Sequence, residues 1–340
     1  MRIQLVTQMW PSPENPDLGS FLVPLTRELE RRGNEVEVTA ISRRGGAPTK
    51  YTTLAAKSIV TARRFRPDVV FAHFLFPAGA AGAAASLVAR CPLVVMAHGT
   101  DVANLTEIRG IRAATVPVIS RAAAVISNSR WLADRLTASI PAAAAKIAIA
   151  DCGIDLEAFT PADAEPARER LGWGGEGPSF LCVGSLIDRK NVVALADAFA
   201  ALGRGRLAFV GDGPLRPRLE GRPDVRVVGR VPQSEVPQWV AACDVLCQPS
   251  LIEPFGQATL EGMAMERSVI ATTEGGPPEF VPPEAGVLAD PGDDGALLAA
   301  LERAAAMPTP NRTAREAARL HDVRTEAAKM LDVLEQARRR

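Results

Sequence analysis

Tyrosine is almost missing from this chain: one occurs in 340 residues, and Phe, Trp and Tyr together make up 5%. A core so short of rings must be built from Ala, Val, Leu and Ile, which a composition that is 47% hydrophobic supplies. An excess of either charge is missing too. Lys plus Arg and Asp plus Glu both number 39, so net charge gives no reason to propose nucleic acid as a partner. Cysteines are few and poorly placed for chemistry. The five (Cys91, Cys152, Cys182, Cys243 and Cys247) lie mostly in apolar runs such as "SFLCVGS", lack metal-ligand spacing, and are odd in number, which argues against a full disulfide set. Cys243 and Cys247 are four apart, but a switch from helix to strand falls between them, so they are not paired. Inert buried thiols in a reducing cytoplasm follow. Long hydrophobic runs are also lacking: "PAGAAGAAASLVAR" falls short of the ~20 strongly apolar residues of a membrane span and is mostly Ala and Gly. The start, "MRIQLVTQ", reads as a strand, without the n-region and cleavage site of a signal peptide. A cytoplasmic protein is expected.

A length of 340 residues is long for one core, so two domains are expected. Charge, balanced overall, is uneven locally. Between Arg27 and Arg66 there are ten basic residues against four acidic ones. Two readings stand: a solvated face, or a patch including Arg43, Arg44, Arg63 and Arg64 that docks on anionic lipid, making the protein peripheral on the inner face of the plasma membrane.

Short β-branched runs alternate with Ala/Leu-rich helical patterns. In the first half "IQLVTQ", "NEVEVTAI", "PDVVFAHF", "PLVVMAHG", "AAVISNS" and "KIAIADCG" read as buried strands. Between them lie "SFLVPLTRELERRG", ended by Gly33, then "AGAAGAAASLVARC" and "SRWLADRLTAS". The pattern restarts with "SFLCVGS", "RLAFVG", "VRVVG", "DVLCQPS", "SVIATT" and "GVLAD". Alternation of this kind means βαβ units and parallel sheets covered on both faces. The fold class is therefore α/β, with two Rossmann-like doubly wound domains: residues 1–160, a Pro- and Gly-rich linker over 161–177, residues 178–310, and C-terminal helices over 311–340.

Open parallel sheets bind ligands at the carboxyl ends of their strands, and two such domains leave a cleft. Unusual residues fall at those ends. Gly19, in "DLGSF" after the first strand, lets the backbone approach a ligand near a helix start. Two of the chain's three histidines, His73 in "AHFLFPAG" and His98 in "AHGTDV", follow adjacent strands, the second beside Asp101. Each is either a satisfied structural residue or a group for chemistry near neutral pH or for a sugar hydroxyl. In "VGSLIDRKNV", Gly184 and Ser185 open a loop that puts Arg189 and Lys190 just before a helix. Cations do not complement a helix N-terminus, and a bound phosphate resolves the conflict. The stretch "EPFGQATLE" sets Glu253 in the loop, before Pro254, and Glu261 over a turn into the following helix. Between them Phe255, Gly256 and Gln257 offer backbone N–H groups at a helix start. Hydroxyl acceptors at both ends with phosphate donors in the middle suit a nucleotide diphosphate sugar. A metal is disfavoured, because Lys190 and the amides already supply positive charge.

Together these residues resemble the retaining glycosyltransferases of family 4, which have the GT-B fold of two Rossmann-like domains facing each other across a cleft. "EPFGQATLE" matches the family's E-x7-E motif, and "VGSLIDRKN", "VGDGP", "GRVP", "EGGPPEFV" and "AHGTDV" follow in family order and spacing over nearly the whole chain. "HFLFPAG" and "HGTDV" are similar to bacterial enzymes that build cell-surface polysaccharides. The resemblance implies transfer of a sugar from a nucleotide sugar to a glycan or lipid-linked acceptor with retained configuration, without metal or other cofactor. It further implies that Lys190 contacts the donor diphosphate, with Phe255, Gly256 and Gln257 as backbone contacts. Glu261 would hold the ribose, Glu253 the transferred sugar, and Arg230 and Val231 the base. Gly19 would approach the diphosphate and His98 the reacting centre, with His73 and Asp101 on the acceptor side, while the C-terminal helix crosses back onto the first domain. Many members carry Arg where this chain has Ser185, which moves phosphate neutralisation onto Lys190 and Arg189. Two alternatives share the architecture: a nucleotide-sugar 2-epimerase, and an inactive regulatory protein that binds sugar nucleotides. A dinucleotide oxidoreductase is disfavoured, since "LVTQMWPSPENPDLGS" lacks G-x-G-x-x-G.

Overall fold

The computed structural model of the chain describes residues 1–293 and 295–339. It resolves into two compact units, the first formed by Met1–Gly153 and the chain from Val323 onward, the second by Ile154–Asp322.

In the first unit the strands are β1 (Arg2–Thr7), β2 (Glu35–Ala40), β3 (Val69–His73), β4 (Leu93–Ala97), β5 (Ala124–Ser127) and β6 (Ile147–Ile149). They form one parallel sheet in the order β2-β1-β3-β4-β5-β6. The helices are α1 (Leu22–Arg31), α2 (Thr49–Phe65), α3 (Ala78–Ala89), α4 (Thr100–Glu107), α5 (Ile111–Arg121) and α6 (Arg130–Ser139). Central strands β3 and β4 are buried at every position, which is why they read as unbroken apolar runs rather than alternating ones. The Ala/Gly-rich α3 is a close-packing device. A Cβ on Gly82 would lie 2.8 Å from the Ala72 Cβ of β3, so only a bare backbone lets this helix sit so near the sheet.

The second unit repeats the plan with β7 (Ser179–Val183), β8 (Arg206–Val210), β9 (Val225–Gly229), β10 (Val245–Gln248), β11 (Ser268–Thr272) and β12 (Gly286–Ala289). Their order is β12-β11-β10-β7-β8-β9, again parallel. Its helices are α7 (Ala164–Leu171), α8 (Val192–Leu202), α9 (Val236–Ala242), α10 (Gln257–Ala264), α11 (Ala296–Ala305) and α12 (Arg312–Arg319). The order of strands reverses between β7 and β10, and the loops leaving these two strands are where a doubly wound sheet binds ligands. All twelve strands fall in the runs that the sequence marks as strands.

Two boundaries differ from the sequence expectation. Residues 161–177 do not form a linker: they hold α7, which packs on α9 within the second unit. Arg168 pins it there, donating to Asp244 Oδ1 at 2.8 Å, Ser179 Oγ at 3.0 Å and Ala242 O at 2.9 Å. The chain instead changes units at Gly153/Ile154 and again at Asp322/Val323. Nor do residues 311–340 act together, because α12 packs on α10 in the second unit and only the last helix, α13 (Val323–Arg339), belongs to the first. Met330, Leu334 and Ala337 of α13 join Leu22, Leu25 and Leu29 of α1 over Phe71 and Met96 of the sheet.

All five cysteines are unpaired and buried. Burial pushes their thiols up, to about 11 for Cys91 and about 12 for Cys182 and Cys243, so they are poor nucleophiles. No helix among the described residues is long and apolar enough to cross a membrane. Because α13 completes the core of the first unit, Met330→Ala should cost about 2–5 kcal/mol, a loss to be read from the urea midpoint. An unchanged midpoint would mean that α13 is not part of that core.

Candidate active site

In the second unit, the loop after β7 passes Gly184 and the half-buried Ser185, then closes as a single 3-10 turn, Asp188–Lys190. This turn aims Lys190 at the loop after β10. Its Nζ lies 2.5 Å from Glu253 Oε2, an oxygen that also accepts the Ser250 hydroxyl at 3.0 Å. The two loops are stitched by the backbone as well: Leu251 N donates to Arg189 O at 2.8 Å, and the Arg189 guanidinium to Ile252 O at 2.9 Å. A third loop, after β11, holds Glu253 from the other side. Glu253 N donates to Glu274 O, and Gly276 N to Glu253 O, both at 2.9 Å. Gly275 has φ +139°, and a Cβ there would lie 1.9 Å from Glu253 O, so this pairing tolerates glycine alone. The conflict between two cations and a helix start is thus met partly by the protein's own carboxylate.

Beyond Glu253, Phe255 is buried against Phe280, with ring centroids 5.4 Å apart. Gly256, at φ +111°, is the N-cap of α10 and has no side chain of its own to cap the helix. Glu261 is buried one turn further on. Gln233 Nε2 donates to its Oε1 at 3.3 Å. Gln233 comes from the loop after β9, the same loop that carries the exposed Arg230 and the half-buried Val231. Sequence reasoning stopped at "GRVP" and missed both Gln233 and Ser250. For Gln233 the signal was its position directly after that motif; for Ser250, its position three residues before Glu253.

The two glutamates differ in electrostatics. Burial pushes Glu253 up, but the Lys190 ammonium and then Arg189 outweigh it and hold the carboxyl below its ordinary value. Burial pushes Glu261 up to about 8, with Gln233 opposing only weakly. The first is a carboxylate near neutral pH, the second mostly a neutral acid.

In the first unit β3 and β4 are adjacent strands, and their ends bring His73 and His98 together, Nδ1 to Nε2 at 3.0 Å. Asp101, buried in the first turn of α4, orders the surroundings. Its Oδ1 accepts the backbone N–H groups of His98 (3.0 Å), Gly99 (2.8 Å) and Val102 (3.1 Å), and its Oδ2 that of Leu75 (2.8 Å). Burial still raises its carboxyl above the ordinary value against these bonds. Phe74 and Phe21 flank the His98 ring at 4.4 and 5.5 Å. Burial lowers His98 to about 3 and, with His98 beside it, lowers His73 well below 6.5, so both rings are neutral at physiological pH. One proton lies between them. His73 Nε2 is buried without a hydrogen-bond partner among the described residues, and an orphaned donor there is less tolerable than an orphaned acceptor. That assigns the shared proton to His73 Nδ1, leaving His98 protonated on Nδ1, which presents a donor rather than a base.

Gly19 is positioned for a different reason from the one its sequence context gave. At φ +69° its missing Cβ would lie 2.5 Å from Met9 O, so the residue allows a close approach of the chain to itself. Of the basic patch, Arg44 pairs with Asp17 at 2.5 Å and Arg64 pairs with Glu37. Arg43 and Arg63 have no carboxylate partner among the described residues.

Two measurements check these electrostatics. The folded protein keeps the Glu261 proton to about pH 8, whereas an unfolded glutamate releases it near an ordinary value of 4.5. Between these limits the native state binds more protons, so stability falls as pH rises. Melting temperatures of wild type and Glu261→Gln should therefore diverge in the variant's favour from pH 5 to pH 8.5; a constant difference would contradict the raised value. In NMR, the ring signals of His73 and His98 should stay in the neutral form down to pH 5, and a midpoint near 6.5 for either would refute the burial argument.

Comparison with known proteins places this geometry. A family profile described as "Glycosyltransferase Family 4" matches residues 18–158, and one described as "Glycosyl transferases group 1" matches residues 177–306. A Bacillus subtilis protein provisionally named teichuronic acid biosynthesis glycosyltransferase TuaC is 28% identical over 233 residues, 67% of this chain and 59% of that protein. The GDP-mannose-dependent alpha-mannosyltransferase of Mycobacterium tuberculosis is 32% identical over 234 residues, 65% of this chain and 59% of that enzyme. The matches thus span about three fifths of these relatives' lengths. Among solved structures, Anabaena HepE in complex with UDP and glucose superimposes with a TM-score of 0.76 at 23% identity, covering 98% of this chain and 99% of the other. With one glycosyltransferase profile on its first half and another on its second, over two parallel six-stranded sheets, the chain belongs to the glycosyltransferases of the GT-B fold.

Proposed function

We propose that the protein transfers a sugar from a nucleotide diphosphate sugar to an acceptor hydroxyl with retention of the anomeric configuration. The observation that carries this reading is the Lys190–Glu253 pair beside the start of α10, with Glu261 buried in the same helix. An ammonium has three donors. Lys190 gives one to Glu253, and two remain for the oxygens of a diphosphate. Glu253 spends Oε2 on Lys190 and Ser250, which orients Oε1 to accept from a hydroxyl of the transferred sugar. Glu261 takes the ribose hydroxyls, Arg230 and Val231 border the base, and the N–H groups around Gly256 and Gln257 reach the phosphates. Ser185, Arg189 and Phe255 complete the donor side. That Anabaena HepE was solved with UDP and glucose supports the donor class.

The reacting carbon becomes oxocarbenium-like while the diphosphate departs with its electron pair. Positioning and stabilisation of that leaving charge supply the catalysis, and the leaving phosphate takes the acceptor proton in a front-face attack. His98 donates from Nδ1 to a sugar hydroxyl rather than removing a proton. His73 fixes its tautomer and Asp101 its backbone. Gly19 supports the loop after β1 on this side. No metal is required, since Lys190, Arg189 and the amides carry the positive charge. The acceptor is a glycan or lipid-linked molecule of cell-surface polysaccharide or glycolipid synthesis, met at the cytoplasmic side of the membrane, with Arg43 and Arg63 as the cations open to anionic lipid.

Thermal denaturation against UDP, GDP, ADP and CMP, each with and without EDTA, tests the donor site. One nucleoside diphosphate at 100 times its Kd should add about 2.7 kcal/mol of stability, unchanged by EDTA. With the matching nucleotide sugar, Lys190→Ala should lower turnover roughly 10²–10³-fold, the loss of one preorganised charge stabiliser. Silence across the panel, or a near-wild-type rate in the variant, would overturn the assignment.

A further inference from the structure

The first unit contains a cavity of about 400 Å³ to which the donor site contributes nothing. It opens where β2 ends, between the loop after β1 and the first turns of α2, and among its lining residues are Ser12, Glu14, Arg43, Lys50, Thr53 and Lys57. This is the carboxyl edge of the sheet, where parallel sheets bind ligands. Three cations face it against a single carboxylate.

None of the three cations is neutralised by a carboxylate among the described residues. Lys50 Nζ donates to Arg44 O at 2.7 Å and Gly45 O at 3.4 Å, which ties down the β2–α2 loop and leaves a third ammonium proton. The Arg43 guanidinium folds over Gly46, within about 4 Å of where a Cβ would stand. Ser12 Oγ donates to Ser42 O at 3.0 Å and bridges the two loops across the mouth. The neighbouring cation Arg44 is taken by Asp17, whereas these three line the cavity. A surplus of two positive charges in a concave site with hydroxyls on its wall matches a phosphate ester, which carries about −1.5 to −2 near neutral pH.

We infer that this cavity binds a phosphate group of the acceptor. The inference rests on the transferase reading, since it gives the first unit a substrate. In the strand order β2-β1-β3-β4 the cavity lies three strand spacings, about 14 Å, from the end of β4 where His98 sits. A phosphorylated acceptor long enough to span that distance can be anchored at β2 and present its hydroxyl at β4. The anchoring phosphate belongs either to a soluble sugar phosphate or to a lipid headgroup, and both offer the same oxyanion.

Binding of glucose 6-phosphate, glucose and inorganic phosphate to the full chain by calorimetry, alongside co-sedimentation with phosphatidylcholine vesicles with and without phosphatidic acid, tests this. The double variant Arg43→Ala/Lys57→Ala removes two exposed cavity cations. Arg27→Ala/Arg109→Ala removes the same charge from exposed positions of the first unit outside the cavity. The expected result is binding of glucose 6-phosphate but not glucose, lost at least tenfold in the cavity variant and kept in the control variant. Binding confined to vesicles with phosphatidic acid, lost in the cavity variant only, supports the inference with a lipid as the source. Equal losses in both double variants would reduce it to surface charge, and no phosphate-dependent binding to any probe would overturn it. Lys190→Ala separates the two sites: it should lose nucleotide binding and keep phosphate binding, the reverse of the cavity variant. Loss of both in Lys190→Ala would place the phosphate in the donor site and overturn the inference alone.

Discussion

The ion pair between Lys190 and Glu253 is the contact on which the second unit's site depends. It joins the loops of β7 and β10, the two strands at which the order of the sheet reverses. A buried carboxylate is costly unless paired and hydrogen-bonded, and Glu253 is both. Its side chain takes Lys190 and Ser250 while its backbone is clamped by Glu274 and Gly276 from a third loop. Removing either partner would leave a buried charge uncompensated, so the pair preserves the geometry of all three loops.

Seven residues separate Glu253 from Glu261, yet their environments drive them to opposite protonation states. One sits beside two cations, the other is buried in a helix with the Gln233 amide donating to it. Setting two carboxyls apart in this way gives one site both an anionic acceptor and a neutral acid at the same pH. In the first unit the same principle acts on histidines: burial holds both rings neutral, and the bond between them fixes which nitrogen carries the proton. Asp101 spends its lone pairs on four backbone N–H groups, which makes it an organiser of the β3 and β4 loops rather than a proton carrier.

Both units place their candidate residues at the carboxyl edge of a parallel sheet, and both rely on glycines for close backbone approach. Gly275 admits the Glu253 carbonyl as Gly19 admits that of Met9. Where a cation finds no protein carboxylate, as in the cavity beside β2, the charge is left for a ligand.

Hydrophobic patterning alone determined the α/β class and the place of every strand, because central parallel strands such as β3 and β4 are unbroken apolar runs, an edge strand such as β2 alternates, and turn residues bound the runs. Motif spacing likewise singled out Lys190, Glu253, Glu261, His73, His98 and Asp101 as candidates, because the loops and helix starts after strand ends are where such sheets bind ligands. What remained hidden was whatever depends on contacts distant in sequence. Residues 161–177 looked like a linker until Arg168 met Asp244, 76 positions away, and the return of α13 to the first core, which the family resemblance implied, has no local signal of its own in the sequence. The same holds for the partners that decide chemistry. Whether Glu253 is charged depends on Lys190, 63 positions away, and whether Glu261 keeps its proton depends on burial and Gln233. Local pattern specifies which elements form and where their ends lie; the field at each ionisable group is a sum over neighbours that only the folded chain assembles.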